Sequence, residues 1–176
     1  MVDKKFIIMM SIPVIVILGF IFFKMFTITT GQDILLEIPR PIDPTDLFRG
    51  NYIALQYSIS RLDLNNLYYD DEFSGDETVY TVLSKKEKFW TVDSVLHSKP
   101  NLNENQVCLK GKVKSSYSNT INVEWGIESF FSPLEQAKEI EKEKWQGNVS
   151  SIVTVDDYCN SILKGLVVGD EIIKTN

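Results

Sequence analysis

Residues 51–60 read NYIALQYSIS, and this stretch decides the fold class. Ile53, Leu55, Tyr57 and Ile59 fall on one parity; Tyr52, Ala54, Gln56 and Ser58 fall on the other. A period of two is the signature of a half-buried strand, whose successive side chains point to opposite faces. The stretch just before it, PIDPTDLFRG at 41–50, is dense in turn formers, and DILLEIP at 33–39 reads as a first strand closed by prolines.

Downstream the same rhythm returns. TVYTVLS (78–84) and FWTVDSVLH (89–97) flank a charged KKEK tip and predict a hairpin. VCLKGKVKS (107–115) alternates, and TINVEWGIESFF (120–131) reads as one further strand with Gly126 as a bulge. RLDLNNLYYDDEFSGDE (61–77) has no sustained period and reads as an acidic excursion. SIVTVDDY and SILKGLVVGDEII supply two closing strands. The period changes once, at Ser132-Pro133-Leu134-Glu135. There Ser132 suits a cap, Pro133 the first helical position and Glu135 a capping box, so one surface helix runs to Trp145 and stops at Gly147. Seven to nine strands with no strand–helix alternation predict a mainly β, antiparallel domain, barrel-like or a sandwich, with one inserted helix.

The N-terminus is of another kind. Residues 6–23, FIIMMSIPVIVILGFIFF, are eighteen without a charge, and Lys24 can snorkel so that Met25 and Phe26 extend the run. Lys4 and Lys5 precede it, which by the positive-inside rule keeps the N-terminus cytoplasmic. The expectation is a cytoplasmic tip (1–5), a single transmembrane signal anchor (6–26) and an extracytoplasmic β-rich domain (27–176). The competing reading, a cleaved signal peptide, lacks an A-x-A-like site in KMFTITTGQ.

Composition narrows the function. A net charge of −6 gives no basic footprint for nucleic acid. The 11% aromatic content and many β-branched residues oppose disorder. His97, the one histidine, has no cysteine or histidine beside it to build a metal site, and no cofactor motif occurs. Cys108 and Cys159 are either a disulfide, permitted outside the cytoplasm, or two separate buried thiols.

Two segments carry an identity. PIDPTDLFRGNYIALQY (41–57) resembles the signature of the GDYXXLXY family of membrane-anchored proteins, with Pro41, Asp43, Pro44, Asp46, Arg49, Gly50, Tyr52, Leu55 and Tyr57 at matching positions. Thr45 replaces a usual arginine, and Asn51 replaces the aspartate of GDY. EWGIESFFSPLEQAKEIE resembles the family's second region through Trp125, Gly126, Glu128, Phe130, Phe131, Glu135 and Glu141, with Gln136 in place of a glycine. The resemblance implies an anchored β domain, often encoded beside multi-pass membrane proteins, with no assigned activity.

Asp43, Asp46 and Arg49 form either a polar site beside the strand or a salt-bridged turn, and D-P and R-G clusters favour the turn. Gly50 and Asn51 enter the strand, and Tyr52 and Tyr57 lie on its opposite faces. Glu128 and Glu135 could serve acid–base chemistry but have no nucleophile or metal partner in the sequence. The leading expectation is a non-catalytic extracytoplasmic module that binds a multi-pass integral membrane protein, its membrane contact made through residues 6–26. Two other readings stand beside it. One is a signal-peptidase-like hydrolase using a Ser or Thr with Lys85, Lys86 or Lys88; the other is a barrel enclosing a small ligand.

Overall fold

The computed structural model describes residues 4–39, 48–49 and 52–175. The described strands are β1 (Gln32–Glu37), β2 (Phe48–Arg49), β3 (Tyr52–Ala54), β4 (Arg61–Asp63), β5 (Tyr68–Tyr69), β6 (Thr78–Lys86) and β7 (Phe89–Leu96). β8 (Gln106–Tyr117), β9 (Thr120–Glu124), β10 (Ser129–Phe131), β11 (Val149–Val155), β12 (Ser161–Val168) and β13 (Glu171–Lys174) complete them. They form a four-stranded sheet β1-β11-β12-β13, a three-stranded sheet β10-β3-β2 and a six-stranded sheet β4-β9-β8-β6-β7-β5. Pairing is antiparallel throughout, save for β5 beside β7. The fold is thus mainly β and antiparallel, as the alternation predicts.

All three sheets turn side chains into one apolar cluster. Ile34 and Leu36 of β1, Ile53 of β3, Leu83 of β6, Leu109 of β8, Phe130 of β10 and Leu166 of β12 are each at most 2% exposed. β1 lies against β7 and β8 against β11, which brings the four- and six-stranded sheets together. Two-residue connections close the long hairpins at Lys86↔Phe89 and Tyr117↔Thr120. Glu87 and Ser118 take positive φ there, as tight hairpin turns require.

Helix α2 spans Leu134–Gln146 and buries Ala137 and Ile140 completely; it touches β11 and β12. Its narrow apolar stripe is enough for a surface helix because those two side chains carry the contact. The Ser132 hydroxyl donates to the Gln136 amide oxygen at 2.9 Å, and the Ala137 N–H closes the first turn on the Pro133 carbonyl. Gly147 ends α2 with φ +79°, the left-handed stop that glycine takes without steric cost.

One expectation is corrected at the N-terminus. A 27-residue helix, α1 (Lys4–Thr30), does form. It is not the expected single N-terminal transmembrane helix: among the described residues no helix is long and apolar enough to cross a membrane. The uncharged run between Lys5 and Lys24 rises only about 27 Å, short of the roughly 30 Å hydrocarbon layer. The rest of α1 carries lysines and, at its end, threonines. What remains is an apolar helix with exposed side chains, among them Ile15, Val16 and Phe22.

Other differences are local. Residues 120–131 do not form one strand: β9 and β10 belong to different sheets. The acidic excursion holds β4 and β5, and the closing segment holds three strands rather than two. The alternation in 53–59 holds throughout, with Ile53, Leu55, Tyr57 and Ile59 buried and Ala54, Gln56 and Ser58 exposed. Ladder pairing nevertheless stops at Ala54, and Ser58–Ser60 form a 3-10 turn.

Candidate functional site

The two segments singled out in the sequence meet in the fold. β3 pairs with β10 in the register Ser129↔Ala54, Phe130↔Ile53 and Phe131↔Tyr52, and β2 pairs with β3 through Phe48↔Ile53 and Arg49↔Tyr52. Beyond the ladder the joint continues: the Leu55 N–H donates to the Glu128 carbonyl at 2.7 Å. Paired residues of an antiparallel ladder share a face. Ile53 and Phe130 therefore point together into the core, while Ala54, Ser129 and Phe131 stand on the outer, exposed face.

Tyr57 locks this joint. It is 2% exposed, and its phenol donates to the Ile127 carbonyl at 2.7 Å. Burial pushes the phenol's pKa far up; the nearby Glu128 carboxylate adds to the rise, and the Ser151 hydroxyl opposes it. Tyr57 is thus a neutral donor at every physiological pH, a cross-link rather than an acid or base. Tyr57→Phe should lower stability by about 1–3 kcal/mol, the cost of leaving a buried acceptor unmet. The shift in urea midpoint, at unchanged slope, measures it.

Glu128 has a related duty. Its carboxylate accepts the backbone N–H of Trp125 and so closes the turn at Gly126, whose φ is +79°. That turn redirects the chain from β9 to β10. Trp125 is buried, its indole resting on Gly111; a Cβ at that glycine would lie 2.7 Å from Trp125 Cε3 and has no room.

Of the other site residues read from the sequence, Asp43, Asp46, Gly50 and Asn51 lie outside the described residues. Arg49 and Tyr52 are placed by their backbone, in β2 and β3; Glu135 lies in α2, its side chain outside what is described. The structure thus brings Arg49, Tyr52, Tyr57 and Glu128 to one small sheet and its margin. Lys85, Lys86 and Lys88 sit exposed at the β6–β7 tip, with Lys86 3.9 Å from Asp93 and Lys88 over the Phe89 ring. Among the described residues no group of three or more His, Cys, Asp or Glu is placed to hold a metal.

Cys108 and Cys159 are bonded. Both are buried, and their Cα atoms are 4.8 Å apart. The bridge ties β8 of the six-stranded sheet to the turn between β11 and β12 of the other.

Sequence reading missed what builds that turn. Asp156, 5% exposed, accepts the N–H groups of Tyr158 and Asn160 at 2.9 Å each and the Asn160 side-chain amide. Those bonds hold Cys159 at φ +66°, aimed at Cys108. An Asp two to four residues before turn formers is the signal that could have found it.

A family model described as GDYXXLXY protein matches residues 13–166. The chain belongs to the GDYXXLXY family. In this member the GDYXXLXY signature and the second region are two halves of one β-structure, clasped by Tyr57 and Glu128. No curated protein and no solved structure matches the chain.

Proposed function

We propose that this GDYXXLXY protein is a partner-binding module that works outside the cytoplasm, held at the cell membrane through α1 and joined to an integral membrane protein. One observation carries the reading: the family's two signature regions meet in a single three-stranded sheet, with Ala54, Ser129 and Phe131 on an exposed outer face. Buried members of that sheet have structural duties, and its outer face is open to solvent, where a partner can reach it. A half-exposed aromatic there is the kind of residue that anchors interfaces.

The chemistry of the chain supports this compartment. A buried structural disulfide persists where the surroundings are oxidising. Helix α1 offers exposed apolar side chains, 66% exposed at Ile15 and 74% at Phe22, that lipid or a partner's apolar surface would cover favourably. Together these features support membrane association with the β domain on the extracytoplasmic side.

Purification of the full chain from detergent-solubilised native membranes, followed by mass spectrometry, tests this. A stoichiometric multi-pass protein should accompany the wild type and be lost from the Arg49→Ala, Phe131→Ala double variant. Copurification of nothing, from correctly folded protein, would overturn the proposal.

A further inference from the structure

The acidic excursion joins the six-stranded sheet through β5, which pairs with β7 at two positions, Tyr68↔Ser94 and Tyr69↔Val95. Two parallel pairs are a weak attachment by themselves. The attachment is reinforced by the residue that follows the end of each strand, Asp70 after β5 and His97 after β7. Asp70 Oδ2 accepts the backbone N–H of His97 at 2.9 Å, and Asp70 Oδ1 lies 2.7 Å from His97 Nδ1. On the other side of the ring, Glu77 Oε2 stands 3.7 Å from Nε2. Phe73, itself 4% exposed, covers the imidazole face with ring centroids 4.0 Å apart and planes 4° from parallel. These ring partners all come from the second half of the excursion, residues 70–77.

We propose that His97 is a proton-operated latch that fastens the excursion, with its edge strand β5, to the rest of the β domain. Protonated, the imidazole donates from both nitrogens and meets carboxylates on both sides. Neutral, it donates from one nitrogen only, and the other presents a lone pair to a carboxylate. Loss of one proton therefore weakens the hold while every heavy atom stays in place. Asp71 adds a third negative charge nearby.

The electrostatics agree in sign. Burial by itself lowers the pKa of His97, but Asp70, Glu77 and Asp71 outweigh it, and the net shift is upward from the ordinary 6.5. A raised histidine pKa means stabilisation that is full below the unfolded value and is lost as pH rises through the folded one. For Asp70, burial is again the largest influence and acts upward, yet the bonds from His97 hold the pKa below 3.8. Asp70 thus keeps its charge below the ordinary carboxylate range, and the proton that works the latch is the one on His97. Opening would expose more of an edge strand whose Tyr68 is already 69% exposed.

The test combines a pH titration of the His97 ring protons by NMR with hydrogen exchange over residues 68–77, on the full chain in detergent micelles. Exchange rates are corrected for their intrinsic pH dependence. The His97 midpoint is expected above 6.5, and protection of 68–77 should fall several-fold as pH rises through it. Asp70→Asn should bring the midpoint down, and His97→Gln, shown folded by circular dichroism, should flatten the pH dependence. A wild-type midpoint at or below 6.5 would overturn the latch, as would the same pH profile in wild type and both variants.

Discussion

Replacing Cys108 and Cys159 together by alanine should lower the unfolding free energy by about 4 kcal/mol. The bridged residues are 51 positions apart. Closing a loop of that length removes from the unfolded chain an entropy worth about 4 kcal/mol in the chain-entropy account. The position adds to the effect. The bridge fastens β8 to the β11–β12 turn, and the Lys110 N–H next to it donates to the Cys159 carbonyl at 2.9 Å. Loss of the bond therefore loosens the seam between the two larger sheets. Denaturant unfolding of wild type, with and without reductant, beside the double variant measures it. Reduced wild type should resemble the variant, and a difference under about 1 kcal/mol would show that the seam holds without the bridge.

Phe130→Ala should cost about 3–5 kcal/mol, whereas Phe131→Ala next to it should cost within about 0.5 kcal/mol. The two phenylalanines are neighbours on β10 but point to opposite faces. Phe130 is 1% exposed, opposite Ile53 in the ladder, and its removal leaves a cavity where the two family regions join. Phe131 is 53% exposed on the outer face. Equal costs would mean that β10 is not seated in this register. The contrast also separates stability from recognition, since the proposed partner should feel Phe131 far more than the fold does.

The period-two pattern of 53–59 was legible because one face is buried, and burial is what alternation records. The pattern could not say where pairing stops. β10 offers only three partners, and beyond them the Tyr57 N–H turns to the Ser60 hydroxyl at 3.2 Å. The break at Gly126 was hidden for the same reason: TINVEWGIESFF keeps alternating while the backbone turns. Glu128, which looked like a candidate acid, closes that turn by accepting from Trp125. The family resemblance located both regions, but only the register shows that they pair. Whether Cys108 and Cys159 meet was beyond the sequence, because separation along the chain carries no distance. At the N-terminus, the eighteen uncharged residues gave the helix correctly and its expected span incorrectly. A helix forms on local propensity, but crossing a bilayer needs apolar length, and Lys24 cuts that length short.

The most direct test of the proposed partner surface is site-specific photocrosslinking in native membranes, with a photoreactive side chain placed at Phe131 or at Tyr117. Tyr117 is 84% exposed at the β8–β9 tip, in another sheet, and serves as the exposed control. An adduct with an integral membrane protein from position 131 and none from 117 is the predicted result. No adduct from 131, or equal adducts from both positions, would contradict the motif sheet as the binding face.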